Sequence, residues 1–350
     1  MNDITSYMLE QTKKILSIDS PTGFTAHAAE YVLGAYKKLG YDAKLTNKGG
    51  IFVCVNDGPD QADDPADAPI LLEAHMDTLG GMVCQIKANG RLKITPIGGL
   101  RAENVETENC RVVTKFDGVI EGTAQLINAS THVNEKYADT QRTFDTVEIV
   151  LDEPVADAED VKKLGVRTGD YVCFEPRTRV TQSGYIKSRF LDDKLSVGIL
   201  LGYAKYLKDE QITPERAVYV HVTSFEEVGH GGSASVPAGV TEAISVDMGC
   251  VGEGLTCDER MVSICAKDSG GPYHYDVVRG LIAAAEKMGA PYAVDVYPRY
   301  GSDVEATLRA GYDIRHGLIG PGVYASHNYE RSHMDGVRNT FELLKAYITK

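Results

Sequence analysis

The sequence lacks any apolar run of the length that a membrane span needs. Its longest apolar stretches are far shorter than the roughly 20 residues that cross a bilayer as a helix. The opening residues MNDITSYMLEQTKK also lack the basic start and the apolar middle of a signal peptide. We therefore expect no membrane partner and a cytoplasmic location.

Basic residues are few compared with acidic ones. Lys and Arg total 36 against 50 Asp and Glu, which gives a formal net charge of −14. Because proteins that bind nucleic acid neutralise phosphates with Lys and Arg, this balance argues against a nucleic-acid partner. Hydrophobic residues make up 43% and charged residues 25% of the 350, as in a soluble globular protein of one large or two moderate domains.

The cysteine pattern does not support a disulfide framework. Seven cysteines are present, an odd number, and their spacing is scattered without any Cys-x-x-Cys pair. A chain of this size can bury its own hydrophobic core and does not need disulfide cross-links. We expect free and mostly buried thiols at positions 54, 84, 110, 173, 250, 257 and 265.

Helical and strand patterns alternate in the first and last parts of the chain. Apolar periodicity predicts an opening helix that stops before Ser20-Pro21, and further helices over residues 26–39, 193–208, 277–288 and 338–348. Short apolar runs predict buried strands over residues 70–72, 217–223, 243–246 and 293–296. A hairpin is predicted over residues 43–55, and an exposed acidic loop over residues 57–69.

Residues 82–180 have a different character. Short alternating stretches at 83–86, 92–94, 110–114, 146–150 and 170–174 are separated by Gly, Asn and Asp, and helical periodicity is confined to about 158–164. This pattern predicts a mostly β unit inserted into an α/β domain. The predicted domains are residues 1–81 with 181–350, and the insertion 82–180.

Candidate metal ligands occur at the ends of the predicted elements. Because ligands collect at the carboxyl ends of strands in an open α/β sheet, His75, Glu226, Glu227 and Asp247 should converge on one edge. The segments that carry such residues are His75-Met76-Asp77, Asp192-Asp193-Lys194, Glu226-Glu227-Val228-Gly229, Asp247-Met248-Gly249 and Ser326-His327-Asn328.

Imidazole and carboxylate groups suit zinc, and also cobalt or manganese. Two histidines and three or four carboxylates exceed what one tetrahedral zinc needs, but they suit two divalent cations that share a carboxylate. Neighbours in an extended segment point to opposite sides, so we assign one of Glu226 and Glu227 as a ligand and the other as a general base. Asp77 is close enough to His75 to fix the tautomer of its ring.

The sequence resembles the M42 peptidases, the cytosolic dinuclear-metal aminopeptidases that include the glutamyl and tetrahedral (TET) aminopeptidases. The resemblance implies a mixed-sheet α/β/α dinuclear-metal peptidase domain with an inserted small β-barrel-like domain. The matching segments run through the whole chain in family order: AHMDTLGGMV (74–83), FLDDKLSVG (190–198), TSFEEVGHGGS (223–233), ISVDMG (244–249), YGSDVEA (300–306) and IGPGVYASHNYERSH (319–333).

The resemblance also implies a role for individual residues. Glu226 matches the general base, and Asp77 matches the acid that supports the first histidine ligand. His333 competes with His327 for the terminal ligand position, and we prefer His327. The implied metal ligands are His75, the bridging Asp192, Glu227, Asp247 and His327; the implied substrate-pocket residues are Gly301, Ser302 and Asp303, where the family commonly has Gly-Thr-Asp.

The implied activity is removal of N-terminal residues from peptides with two divalent cations per subunit. Zinc is the expected ion, with cobalt or manganese as alternatives. The resemblance further implies homo-oligomers in which the inserted domain makes dimer contacts and dimers can build a tetrahedral dodecamer.

Two other functions remain open at this point, an M20-like carboxypeptidase or amide deacylase and a non-catalytic metal-binding scaffold. Among the histidines without a match, His221 is expected on a sheet face. The other histidines without a match to a family ligand are His27, His132, His230, His274 and His316.

Overall fold

A computed structural model describes residues 3–56, 68–234 and 236–349. The chain forms two compact units, one of Met1–Asp77 with Arg177–Lys350 and the other of Thr78–Pro176. Most of the predicted loop, residues 57–67, lies outside the described residues. Within the described residues, no helix combines the length and the apolar character that crossing a membrane requires.

The first unit is built on a mixed sheet with 12 strands in the described residues. Strands are numbered along the whole chain, so β4 to β9 belong to the second unit. The sheet consists of β1 (Lys44–Leu45), β2 (Ile51–Asn56), β3 (Ile70–His75), β10 (Arg179–Val180), β11 (Tyr185–Ser188), β12 (Val218–Thr223), β13 (Glu242–Val246), β14 (Gly249–Val251), β15 (Val262–Lys267), β16 (Tyr292–Val296), β17 (Arg315–Tyr324) and β18 (Glu330–His333).

The strand order places parallel strands at the centre of this sheet. Its main path is β1-β2-β12-β3-β13-β17-β18-β11-β10, with β14 and β15 on β17, and β16 on β15. Strand β3 pairs in parallel with β12 on one side and with β13 on the other. The carboxyl ends of these three strands, at His75, Thr223 and Val246, therefore meet at one edge of the sheet.

Helices cover both faces of the sheet. Alternate residues of β3 point to opposite faces, so Ile70 and Leu72 join one apolar cluster while Leu71 joins another with Val304. This arrangement confirms the predicted α/β/α architecture. The helices of the first unit are α1 (Asp3–Leu16), α2 (Ala26–Lys38), α4 (Leu191–Asp209), α5 (Tyr275–Met288), α6 (Asp303–Arg309) and α7 (Met334–Ile348).

The second unit is a closed β-barrel with the strand order β4-β5-β8-β7-β6-β9, so the predicted barrel-like insertion is confirmed. Its first and last strands pair with each other in antiparallel orientation. Its elements are β4 (Gly80–Ile86), β5 (Leu92–Ile97), β6 (Asn109–Val113), β7 (Val119–Leu126), β8 (Val147–Leu151), α3 (Ala158–Lys163) and β9 (Tyr171–Phe174), with a short 3-10 turn at Ala102–Asn104.

The hairpin of β1 and β2 and the long helices agree with the sequence predictions. Helix α6 was not predicted, and neither were seven strands, β7, β10, β11, β14, β15, β17 and β18. Strand β17 contains Gly320 and Pro321, which suggest a loop by their propensities, but it is buried and passes very close to its neighbour. A Cβ atom on Gly320 would lie 1.4 Å from the carbonyl oxygen of Asp247. Helix α7 begins at Met334 rather than at residue 338, because His333 caps it.

Candidate metal centre

The central strands bring four of the expected residues to one edge of the sheet. His75 is the last residue of β3, and Asp247 directly follows β13. After β12 ends at Thr223, the chain enters a short 3-10 turn over Glu226–Val228. The convergence that the strand pattern predicted is therefore present in the fold.

The start of α4 adds a carboxylate between two imidazoles. Asp192 and Asp193 have non-helical backbone angles, and the peptide bond between them is cis. Asp192 Oδ1 lies 3.1 Å from His75 Nε2, and its Oδ2 lies 3.5 Å from His327 Nε2. Asp192 thus faces both histidines, each with a different oxygen.

Two overlapping sets of donor atoms fit a divalent cation. The donors of His75, Asp192 and Glu227 lie within 4.8 Å of one another, and so do those of His75, Asp193 and Asp247. His327 Nε2 is 3.6 Å from Glu227 Oε2, which places it beside the first set. Buried imidazole and carboxylate donors at this spacing are the ligands that zinc, cobalt and manganese take.

The turn at Glu226–Val228 lets two adjacent glutamates reach the same site. Phe225, which precedes the turn, has a φ of +75°, so the segment is not extended and its side chains do not alternate. Glu226 Oε2 lies 3.7 Å from His75 Nε2, whereas Glu227 lies beside His327. Glu226 is absent from both donor sets found in the described residues.

Asp77 holds this turn in place. Its carboxylate accepts hydrogen bonds from the Thr22 hydroxyl at 2.6 Å and from the backbone N–H groups of Glu226 and Glu227 at 3.2 and 3.4 Å. His75 Nδ1 is 3.0 Å from the carbonyl oxygen of Asp77 but 3.7 Å from its carboxylate Oδ1. In this geometry the nearer partner of the His75 ring is therefore the backbone of Asp77.

Several carboxylates of the cluster are buried together, and burial raises their pKa values because it disfavours the charged form. Burial raises the pKa of Glu226 well above its ordinary value, and the negative charge of Asp303 adds to the effect. Burial and the charge of Asp192 raise the pKa of Asp247 to about 7. A divalent cation beside these carboxylates would favour their charged forms and so oppose the effect of burial.

Hydrogen bonds and opposite charges shift the pKa values of His327 and Asp192 in the directions that favour their charged forms. Burial lowers the pKa of His327, but its hydrogen bond with Asp192 and the nearby carboxylates outweigh burial and raise the pKa to about 10. Burial raises the pKa of Asp192, but hydrogen bonds with His327 and His75 outweigh it and hold the pKa below its usual range. Asp192 is the carboxylate of the cluster that most strongly keeps its negative charge.

The structure separates the two histidines that competed for the terminal position. His333 Nδ1 accepts a hydrogen bond from the N–H of Asp335 at the start of α7, and its Nε2 lies 2.8 Å from the carbonyl oxygen of Ser183. His327, in contrast, points to the carboxylates of Asp192 and Glu227. This placement favours His327 as the ligand.

The segment 301–303 lies near the cluster but directs its side chains elsewhere. The Ser302 hydroxyl lies 3.1 Å from the hydroxyl of Tyr273. Asp303 accepts hydrogen bonds from the Thr223 hydroxyl and, at 2.6 Å, from the N–H of Gly232. Both residues are buried, and Gly301 is exposed.

Two acidic residues in or beside the donor sets were given no role from the sequence. Asp193 was seen only as part of a helix start, although its carboxylate belongs to a donor set. Glu330 is buried and accepts hydrogen bonds from the N–H groups of Asp192 and His327. The adjacency of Asp193 to Asp192 was a usable signal, but nothing in the sequence around Glu330 reveals its partners. His221 lies buried in β12 beside Glu73, on a sheet face as expected.

Comparisons with known proteins agree on one family. A family model described as M42 glutamyl aminopeptidase matches residues 54–343. A protein of Bacillus subtilis named "Putative aminopeptidase YhfE" is 41% identical over 340 residues, which cover 97% of this chain and 96% of that protein. The glutamyl aminopeptidase of Lactococcus lactis is 26% identical over 232 residues, which cover 65% of this chain and 61% of that protein.

Solved structures share the fold. A chain of PhTET1-12s, described as a dodecamer in the asymmetric unit, superposes on this chain with a TM-score of 0.83 at 23% identity, and the match covers 100% of both chains. The TET1 peptidase of Pyrococcus horikoshii, described as able to assemble into a tetrahedron or a large octahedral shell, has a TM-score of 0.84 at 23% identity and covers 98% of this chain and 99% of that one. These matches confirm the predicted fold, and together with the family model they do not favour the carboxypeptidase or deacylase alternative.

Proposed function

Because this chain belongs to the M42 glutamyl aminopeptidase family and is a hydrolase that acts on peptides, we propose that it removes N-terminal residues with a dinuclear metal centre. The observation that carries the proposal is the convergence of His75, Asp192, Glu227 and His327 on one sheet edge with Glu226 beside them. A purely structural metal site has no need of the extra carboxylate.

Four of the proposed ligands belong to the donor sets, and His327 is added because its Nε2 lies 3.5 Å from Asp192 and 3.6 Å from Glu227. His75, Asp192, Glu227, Asp247 and His327 would hold two cations, and the two oxygens of Asp192 face different histidines. Zinc is the proposed ion, and cobalt or manganese suit the same donors. When bound, the cations lower the pKa of a water molecule and polarise the carbonyl that is attacked.

The residues of the chain supply the proton transfers. Glu226 would take a proton from the attacking water and deliver it to the leaving amine, the two transfers of a residue that serves as general base and then as general acid. Asp77 orients Glu226 and Glu227 through their backbone N–H groups. Residues 301–303 shape the substrate site, and the buried side chains of Ser302 and Asp303 act by fixing the backbone there.

A homo-oligomer is also part of the proposal. The inserted unit, residues 78–176, makes the dimer contacts, and dimers assemble further into a dodecamer. This is supported by the fold shared with PhTET1-12s, which is described as a dodecamer. The seven free cysteines agree with a reducing, cytoplasmic environment. Native mass spectrometry is expected to give twelve times the subunit mass of 38.0 kDa, and a monomer would contradict the proposal.

The activity is tested with a hydrolysis panel. The protein is dialysed against a chelator and restored with zinc, cobalt or manganese. It is then given peptides with each possible N-terminal residue, in free and N-acetylated forms. We expect metal-restored cleavage of the free-amine peptides only. Cleavage of the acetylated peptides, or of neither form with metal bound, would contradict the proposed activity.

The panel also measures the preference for the N-terminal residue, because the relatives are named for different residues. One is a glutamyl aminopeptidase and another, from Pyrococcus furiosus at 23% identity, is a lysyl aminopeptidase. The residue preference of this chain is therefore read from the panel itself.

The role of Glu226 is tested by the substitution Glu226→Gln. The amide keeps the shape of the side chain but cannot accept the proton, so we expect kcat to fall by about 10²–10⁴-fold while metal content stays unchanged. Glu286→Gln, at an exposed position of α5, is the matched control and should behave as the wild type. Near-normal turnover by metal-loaded Glu226→Gln would show that another group is the base.

A further inference from the structure

Glu330 occupies an unusual position beside the candidate metal centre. It is the first residue of β18, and only 2% of its surface is exposed. Its Oε1 accepts a hydrogen bond from the backbone N–H of His327, and its Oε2 accepts one from the backbone N–H of Asp192, both at 3.0 Å. Glu330 is not part of either donor set found in the described residues.

The two N–H groups belong to residues that are remote in the chain. His327 lies three positions before Glu330, whereas Asp192 lies 138 positions before it. One carboxylate therefore ties the start of α4 to the turn that precedes β18. The side chains of the same two residues face each other across 3.5 Å.

The backbone at His327 needs this support. His327 has a φ of +63°, which is uncommon for a residue other than glycine. Asp192 has an extended backbone, with φ −73° and ψ 103°, where the chain enters α4. Hydrogen bonds from N–H groups to a carboxylate are stronger than bonds between neutral groups, so Glu330 fixes the left-handed conformation of His327 next to the start of α4.

We propose that Glu330 is a positioning residue of the metal centre, which sets the distance between the His327 and Asp192 ligands by holding both of their backbone N–H groups. The proposal rests on the proposed metal centre. It assigns Glu330 no contact with substrate or cation. Groups that orient metal ligands typically contribute 10–100-fold to metal affinity.

The substitution Glu330→Gln tests this role. It keeps the length of the side chain but turns an NH₂ donor toward one of the two N–H groups, so only one of the two hydrogen bonds survives. Should Glu330→Gln fail to fold, Glu330→Asp takes its place, since its shorter side chain keeps both oxygens but cannot reach both N–H groups.

A matched control exists in the same unit. Asp295 is also a buried carboxylate, with 6% of its surface exposed, that accepts hydrogen bonds from two backbone N–H groups. These belong to Thr256 and Cys257, at 2.8 and 3.0 Å. Asp295→Asn therefore removes an equivalent interaction from residues outside the donor sets.

The measurement is cobalt binding by the metal-free full-length proteins, in competition with a chelator and followed by visible absorption. Both substitutions should lower the Tm of the metal-free protein, because both disturb a buried carboxylate. Only Glu330→Gln should lose 10–100-fold in cobalt affinity and change the cobalt absorption spectrum. Substrate is absent, so the result does not depend on the peptidase activity.

Three outcomes would overturn the proposal. Glu330→Gln could bind cobalt with wild-type affinity and spectrum, in which case the carboxylate has a structural role only. Asp295→Asn could lose as much affinity, which would make the loss a general effect of instability. A wild type that binds no cobalt would overturn the metal centre itself, and the role of Glu330 with it.

Discussion

His327 and His333 stand in the same short segment, and each follows a serine, yet their surroundings differ. His327 Nε2 faces two carboxylates, whereas both ring nitrogens of His333 bind backbone groups. The sequence cannot distinguish the two, because the N–H and carbonyl partners of His333 are backbone atoms and carry no residue signature. The tertiary structure places one beside carboxylates and makes the other a helix cap.

Replacing each of these histidines by alanine should have different consequences. His327→Ala should lower metal affinity and activity together, since it removes a proposed ligand. His333→Ala should keep its metal but lose about 1 kcal/mol of stability, because the N-cap of α7 is lost. Metal content by mass spectrometry and thermal unfolding separate the two effects. Loss of metal in His333→Ala alone would reverse the assignment.

At the scale of elements, strand β17 passes very close to the end of β13. Gly320 lies so close to Asp247 that a side chain has no room. The same glycine, with Pro321, concealed β17 from the sequence analysis, because these residues suggest a loop by propensity. Long periodic helices such as α4 and α5 were predictable since their apolar pattern does not depend on a partner. A strand that needs glycine for close packing offers no such pattern.

Substitution of Gly320 by alanine should be strongly destabilising. The added methyl group would meet the carbonyl oxygen of Asp247 at 1.4 Å, so the strands must separate at a cost of about 3 kcal/mol or more. Gly34→Ala in α2 is the matched control, because no atom lies within 4 Å of its added Cβ. It should stabilise the protein by about 0.8–1 kcal/mol. Urea unfolding measures both, and a neutral Gly320→Ala would refute the close approach.

At the scale of the whole molecule, buried thiols set a limit on stability in alkaline solution. Burial raises the pKa of Cys110, Cys257 and Cys265 to about 12 each. In the unfolded chain their pKa is about 8.5. Above this pH the unfolded state releases protons that the folded state keeps, so the free energy of unfolding must fall as pH rises toward 12.

The expected slope is small at pH 8 and approaches about 1.4 kcal/mol per pH unit for each of these thiols at pH 10, where the unfolded thiols are almost fully ionised. Urea unfolding at pH 8, 9 and 10 measures it. Cys110→Ala, although less stable at pH 8, should lose stability less steeply because one titrating group is gone. An unchanged slope in this variant would mean that the thiol of Cys110 ionises equally in both states.

The convergence of four candidate residues could be predicted from their positions along the chain, whereas their roles stay predictions. His75, Glu226, Glu227 and Asp247 follow buried parallel strands, so topology alone brings them together. Asp192 and His327 stood in candidate segments, but only the family resemblance implied their roles as ligands, because a helix start and a turn do not reveal where side chains point. Glu330 was missed since its partners are backbone N–H groups. Apolar and polar patterns in the sequence predict which strands are buried and where they end, but they do not predict which side chains bind backbone groups.

The barrel of the second unit begins and ends at the same place. Strands β4 and β9 pair directly, Gly81 with Val172 and Met82 with Tyr171, so the chain enters and leaves along neighbouring strands about 4.8 Å apart. In evolutionary terms the barrel is a self-contained domain insertion. It can be acquired, exchanged or lost as one piece, since a short peptide is enough to bridge the gap that it leaves.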